Sequence, residues 1–209
     1  MRLETITDIE AFNGLRDEWD QLKAGEEMFS PAFTHDWFSS WIESFGGGVK
    51  LSIIALFDKN SLIGVAPLCL VTRQHRGIPC RQLRFLYNRH GPRCSFLMKD
   101  GSGREIRLLL EEMLKLPGWD VAILENIPRE SYLDKLIAGQ CALENHFTVT
   151  RNTMSSPFLR MEGSWDGFYD SRSRHLRRSI RKKETNLAAE GTVTVEHFTD
   201  SDPALGVMD

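Results

Sequence analysis

The chain has 209 residues, of which 26 are Lys or Arg and 29 Asp or Glu; 41% are hydrophobic, 26% are charged, and the formal net charge is -3. Those proportions are average for a soluble globular protein and exclude disordered, collagen-like and disulfide-scaffold chains. At about 100–200 residues per domain, the length allows one domain, or one and part of a second.

The longest apolar run, Leu62 to Leu70, is too short to span a bilayer and is interrupted by Gly64 and Pro67. The N-terminus, MRLETITDIE, is acidic and polar, with no signal-peptide core. Cys69, Cys80, Cys94 and Cys141 have no paired spacing, which points to reduced thiols and a cytoplasmic location. One asymmetry hides in the averages. From Arg172 to Lys183 seven of twelve residues are basic and none is acidic; the other residues hold 19 basic against 29 acidic groups, a balance of -10.

In chain order, Thr7 to Glu10 fits a capping box, and Ile9, Phe12, Leu15, Trp19 and Leu22 follow at helical steps. A second helix is expected from Thr34, with Phe33, Trp37, Trp41 and Phe45 as a buried aromatic stripe ended by Gly46 to Gly48. Leu51 to Phe57 and Leu62 to Val71, joined by Asp58-Lys59-Asn60, read as a hairpin of two largely buried strands. Gln82 to Tyr87 and Ser95 to Met98 are further strand candidates. Gly101 to Gly103 leads into a helix bearing Ile106, Leu109, Leu110, Met113 and Leu114, closed by Pro117-Gly118.

Asp120 to Leu124 reads as a buried strand, Arg129 to Ala138 as a helix, and His146–Thr150 and Pro157–Met161 as short strands. Glu162-Gly163-Ser164 is the one plausible boundary. Beyond it a helix from Trp165 to Ala189 and a strand from Thr192 to Phe198 are expected. The order predicts a mixed α/β layer around one sheet over residues 1–162, followed by a helix-strand tail, 163–209.

Motifs for serine hydrolysis, Walker-type phosphate binding and dinucleotide binding are absent. The histidines and cysteines have no metal-ligand spacing, so no metal is expected. Two loops hold candidate chemistry. Arg73-Gln74-His75-Arg76-Gly77-Ile78-Pro79 follows the second hairpin strand, and its glycine turn and arginines suit an anion or a solvated surface. Tyr87-Asn88-Arg89-His90-Gly91-Pro92-Arg93 lies beyond a buried strand, where ligands commonly bind or where a polar turn satisfies its own backbone. There His90 is a candidate base, and Asn88 and Arg93 are candidate substrate contacts. Arg174, Arg177, Arg178, Arg181 and Lys182 give the last helix a positive face for an anionic substrate, an anionic surface, nucleic acid or the acidic body itself. No aromatic residue is interleaved with these arginines, which speaks against nucleic acid.

The stretches LRDEWDQL, SPAFTHDWFSSWIESFG, LSIIALFDKNSLIGVAPLCLV, RGIPCRQLRFLYNRHGPRCSFLM and WDVAILENIP resemble the CelD-like, cellulose-biosynthesis group of GNAT acyltransferases. That group is related to the two-halved Fem peptidyltransferases, and WDGFYDSRSRHLRRSIRKKETNLAAEGTVTVEHF resembles the entry into a second half. The resemblance implies a GNAT-like fold over 1–162 with an incomplete second unit at 163–209, completed by a missing domain or by a second copy. It implies an enzyme moving an acyl group from acyl-CoA to an amine or amino-sugar acceptor of polysaccharide or cell-envelope synthesis. The alternatives are a non-catalytic module binding an anionic partner through the basic helix, or a Fem-like transferase taking its group from aminoacyl-tRNA. In the GNAT pattern Q/R-x-x-G-x-G/A, which holds the coenzyme pyrophosphate, Gln74 and Gly77 match and Pro79 departs. Gln74, Arg76 and Gly77 are the implied coenzyme contacts.

Overall fold

The structure is a computed structural model that describes residues 1–22, 31–87, 93–99, 103–143, 146–153, 155 and 163–194. The chain divides into two compact units, Met1–Thr153 and Met154–Asp209. Among the described residues no helix is long and apolar enough to cross a membrane.

The first unit is a mixed α/β fold, as expected, with one strand more at the start and two hydrogen-bonded sheets in place of one. Strand β1 (Arg2–Ile6) pairs antiparallel with β3 (Ile53–Asp58), so the chain enters the sheet before its first helix. The helix then starts one residue late. Asp8, not Thr7, caps α1 (Ile9–Asn13) by accepting the Ala11 N–H at 2.8 Å. Gly14 ends α1, and a separate turn, α2 (Arg16–Trp19), resumes the stripe. Phe12, Leu15, Trp19 and Leu22 are buried, while Ile9 is exposed.

Helix α3 (His35–Phe45) is capped by Thr34, as expected, but its inward face is His35, Phe38 and Trp41, and Phe45 is exposed. A four-residue step overshoots a full turn by about 40°, so a stripe spaced only by fours winds off the core side. The buried set instead steps by three.

The expected hairpin is longer than its strands. β2 (Lys50–Leu51) and β3 pair in one continuous register with β5 (Leu68–His75) and β4 (Ser61–Ala66): Leu51 faces Cys69, Ile54 faces Ala66, and the Ser52 N–H reaches the Leu68 carbonyl between them. Pro67 lacks the N–H that would continue the ladder, and the sheet divides there. One sheet has the order β1-β3-β4-β7, with β7 at Leu97–Met98; the other has β2-β5-β6-β8, with β6 at Ile78–Phe85 and β8 at Val121–Ile123. β6 and β8 are parallel, and all other pairs are antiparallel.

Helices α1 to α3 cover one apolar cluster, and α4 (Gly103–Lys115) with α5 (Tyr132–Leu143) covers another against the opposite side chains of β3, β4 and β6. The buried residues of α4 are Ile106, Leu109, Leu110 and Met113, at helical spacing. β8 is half-buried rather than buried, and residues 146–150 are irregular and mostly exposed rather than a strand. The expected strand at 157–161 lies outside the described residues.

In the second unit the expected single helix is two, α6 (Trp165–Asp170) and α7 (Arg174–Glu190). The break is written in serines. Ser171 Oγ donates to the Phe168 carbonyl at 2.6 Å, and Ser173 caps α7 by accepting the Leu176 N–H. Residues 192–194 form no strand, and the remainder of that expectation lies outside the described residues.

Candidate functional site

The division at Pro67 creates the most distinctive feature of the first unit. Along β5 and β6, Leu68 faces Phe85; along β4 and β7, Val65 faces Leu97. Three steps on one strand thus match twelve on its partner, so the ladder breaks opposite Pro67, between Phe85 and Leu97. The Leu86 N–H donates to the Pro67 carbonyl at 2.9 Å as the chain departs. The Cys94 N–H donates to the Asn126 carbonyl at 3.0 Å as it returns. Because β6 and β8 are parallel, both strands end at this point, where α/β sheets commonly receive ligands.

A cleft lies at the break. Its walls are Ala32, Phe33, Trp37 and Phe38 from the first helical layer and Pro67, Phe85 and Leu86 from the strands, with Tyr87, Arg93, Cys94 and Ser95 beside them. The enclosed cavity is about 10 Å³, room for about one water, so any larger ligand must lie along its rim or part its side chains.

Behind the cleft, polar groups from the two parallel strands are tied together. Arg84 on β6 pairs with Glu125 just past β8, and its Nη1 donates to Gln82 Oε1 at 2.9 Å. Gln82, itself buried, donates to the Arg73 carbonyl at 3.3 Å. The Asn126 side-chain amide donates to the Tyr87 hydroxyl. Asn126 has φ 58°, a left-handed conformation that Asn tolerates better than most residues.

Two thiols flank this network. Burial pushes the Cys69 thiol up to about 12, against the lowering fields of Arg84 and Arg73. Burial also raises Cys94, and the Glu125 carboxylate raises it further. Both are therefore neutral at physiological pH, and neither is a ready thiolate nucleophile.

Within the first unit, Arg93 and the Gln74–Gly77 segment lie apart. Arg93 lines the cleft; Asn88 and His90 lie outside the described residues. Gln74 lies in β5, and Arg76 and Gly77 form a two-residue hairpin turn to β6, with φ 52° and 84°. His75 faces Ile78 across that turn, and Pro79 is already in β6 opposite Gln74. The segment is therefore a tight β-turn with no helix following, not a strand-to-helix phosphate loop. It stands about 23 Å along β5 from Pro67 at about 3.3 Å per residue. Arg174, Arg177 and Arg178 lie on α7 in the second unit.

A strand-to-helix connection with the expected glycine spacing occurs elsewhere. Between β7 and α4 the sequence reads Lys99-Asp100-Gly101-Ser102-Gly103-Arg104. Residues 100–102 lie outside the described residues, and α4 opens at Gly103 with Arg104 and Arg107 exposed. A side chain at Gly103 would overlap the Tyr132 ring, so packing also favours glycine there. The Gly101-x-Gly103 pair just before a strongly periodic helix was the signal in the sequence for this position.

No family model matches the chain, and no curated protein matches it. Among solved structures it is similar to the Thermus thermophilus protein TTHA1254, crystallised as a point mutant, at 13% identity over 78% of this chain and 100% of that one, with a TM-score of 0.42. It is similar to a GNAT family acetyltransferase of Staphylococcus aureus at 12% identity over 76% of this chain and 100% of that one, TM-score 0.40. It is also similar to glucosamine-6-phosphate N-acetyltransferase of Arabidopsis thaliana at 12% identity over 79% and 100%, TM-score 0.37. Similarity of that degree assigns no role to any residue, so the chemistry rests on the chain's own groups.

Proposed function

We propose that this chain is a GNAT-type N-acyltransferase that moves an acyl group from acyl-CoA to an amine. The observation that carries the reading is the register jump between Phe85 and Leu97 opposite Pro67, at the point where β6 and β8 end. The rim it creates is apolar, with Tyr87 and Arg93 at its edge, and suits a thioester with its acyl group. The resemblance of the sequence to the CelD-like group supports the same reading.

The coenzyme phosphates are assigned to the N-terminus of α4. The helix dipole favours an anion there, and the exposed Arg104 and Arg107 add charge. This replaces Gln74, Arg76 and Gly77, whose hairpin turn has no helix behind it.

In the reaction the amine nitrogen attacks the thioester carbonyl, a C–N bond forms, and the C–S bond breaks. The nitrogen gives one proton to a base, for which His90 is the candidate, and the departing sulfur gains one, for which the Tyr87 hydroxyl is the candidate. The neutral state of Cys69 and Cys94 favours direct transfer over an acyl-cysteine intermediate. The acceptor follows the resemblance, an amino sugar or another cell-envelope amine made in the cytoplasm. Residues 1–162 then form one GNAT-like unit, and 163–209 open a second.

The test is calorimetric titration of the folded chain with acetyl-, butyryl- and palmitoyl-CoA, followed by thiol release in the presence of glucosamine 6-phosphate. Binding of at least one thioester, weakened about tenfold in the Arg104→Gln/Arg107→Gln variant, is expected. Absence of binding by all three would sink the reading.

A further inference from the structure

We infer that the α6–α7 pair is a binding surface for single-stranded nucleic acid. The sequence shows a basic helix without aromatic residues in it; the structure brings an aromatic platform to its side. Trp165 is 66% exposed and lies against Phe168 and Tyr169, with ring centroids 5.7 and 6.0 Å away. Tyr169 is tied to α7 by its hydroxyl, which donates to the Arg177 carbonyl at 3.2 Å. The Arg181 guanidinium stands 5.9 Å from the Tyr169 ring centroid, and that of Arg172 stands 4.5 Å from the Phe168 ring. An exposed indole thus continues through Tyr169 and Arg181 onto the basic face of α7.

That face is open. At about 100° per residue, Arg174, Arg178, Arg181 and Lys182 fall within roughly a third of the helix circumference. All four are exposed, and none forms an ion pair with a described residue. Arg177 differs, since it meets Asp170 at 3.4 Å. Four uncompensated cations along a helix match the spacing of a phosphate chain, and an exposed indole offers a sequence-tolerant surface for a base.

An anionic bilayer fits less well. Leu176, Ile180 and Leu187 lie on the side of α7 opposite the four cations, so seating the apolar stripe in lipid turns those cations toward water. A double-stranded partner would leave the indole unused. The inference does not depend on the acyltransferase reading, and no thioester enters its test.

The experiment is fluorescence anisotropy of the full chain with a labelled twenty-nucleotide oligouridylate, compared with heparin and with phosphatidylserine vesicles across a salt series. The expected slope of log K against log salt is about -3, for about four phosphates neutralised. The Arg174→Gln/Arg178→Gln/Lys182→Gln variant should lower the magnitude of that slope by about 2 and weaken binding at 50 mM salt at least tenfold. Trp165→Ala should weaken oligonucleotide binding about 5- to 100-fold and leave heparin binding unchanged, because heparin has no bases to stack. Circular dichroism of each variant keeps loss of folding distinct from loss of binding. Failure of the oligonucleotide to bind at 50 mM salt overturns the inference. So do Trp165→Ala without effect and tighter binding to vesicles than to the oligonucleotide.

Discussion

Arg81 and Asp120 close a four-point clasp between the parallel strands β6 and β8. The Arg81 backbone N–H and Nε donate to one carboxylate oxygen of Asp120 at 2.8 and 3.1 Å, and Nη2 donates to the other at 2.6 Å. The Asp120 N–H returns a bond to the Arg81 carbonyl at 2.8 Å. β8 is only three residues long, so this clasp sets its register at the end where it enters the sheet. The guanidinium and the backbone N–H hold the Asp120 carboxyl down at about 2, and Asp120 in turn raises Arg81. A folded value below the unfolded one stabilises the protein above pH 4, and that contribution is lost as pH falls from about 4 to about 2. Asp120→Asn should therefore lower the urea midpoint at pH 7, and the gap to the parent should narrow steadily toward pH 2. A gap independent of pH would show that ionisation of Asp120 contributes nothing to the clasp.

The two raised thiols give a prediction at the other end of the pH scale. Cys69 stays neutral in the folded chain up to about pH 12, while its unfolded counterpart ionises near 8.5 to 9. Stability is then unaffected below pH 8 and falls as pH climbs from about 9 toward 12. Cys69→Ala should lower stability at pH 7 but flatten this alkaline fall. In native protein at pH 8, iodoacetamide should modify the half-exposed Cys80 before Cys69 or Cys94, and urea should abolish the order. Peptide mass spectrometry after timed quenching measures this.

His35 is a structural residue despite being an exposed-type side chain at a helix start. It stacks on Phe12 with ring centroids 4.1 Å apart and meets Trp19 edge-on at 5.9 Å. Its Nε2 lies 3.1 Å from the Phe12 carbonyl, and its backbone N–H donates to Asp20 at 2.8 Å. The Phe12 carbonyl fixes the tautomer with the proton on Nε2, and Nδ1 has no partner among the described residues. His35→Phe keeps the stack but strands a buried carbonyl, at a cost of about 1–3 kcal/mol. His35→Ala loses both, at about 3–5 kcal/mol. Equilibrium urea unfolding at pH 7 separates the two values.

On the proposed chemistry, Tyr87→Phe isolates a proton transfer. Phenylalanine keeps the cleft wall and removes the hydroxyl that accepts from Asn126. Loss of a proton donor to the leaving sulfur should lower kcat about 100-fold with the thioester Kd unchanged. An equal loss in kcat/KM and in binding would instead make Tyr87 a positioning residue.

Much of the fold was legible because periodicity carries it. Helix α4 follows its Ile106, Leu109, Leu110 and Met113 pattern to the residue, and the β3–β4 turn sits at Lys59–Asn60 as its residues demand. Strand β1 was not legible, since Leu3 and Ile6 flank polar residues and the pairing partner lies about fifty residues away. The break at Pro67 was visible only as a proline inside an apolar run. Its consequence, a nine-residue surplus opposite it, depends on long-range register that no local pattern contains. The Gln74–Pro79 segment was ambiguous for a related reason. A glycine after a basic strand end has the same composition in a hairpin turn and in a phosphate loop, and only the element that follows separates them.

Gly64 and Met98 show how tightly that register is held. Leu56 faces Gly64 but Phe57 faces Leu62, so Ile63 is an extra residue in β4. On its other side Gly64 pairs with Met98. A Cβ at Gly64 would come within 2.7 Å of Met98 Cε, 3.1 Å of its Sδ and 3.4 Å of a Leu109 methyl. Met98 is fully buried among α4 side chains and has little room to retreat. Gly64→Ala should therefore destabilise by about 1–3 kcal/mol. Met98→Ala alone opens a cavity and should cost about 2–5 kcal/mol. In the double variant the new methyl occupies part of the space that Met98 vacates, so the combined loss should fall short of the sum by at least about 0.5 kcal/mol. Urea unfolding of all four proteins completes the cycle. Strict additivity would mean that Met98 rotates away from the new methyl without strain, and that the close approach of β7 to β4 does not require glycine.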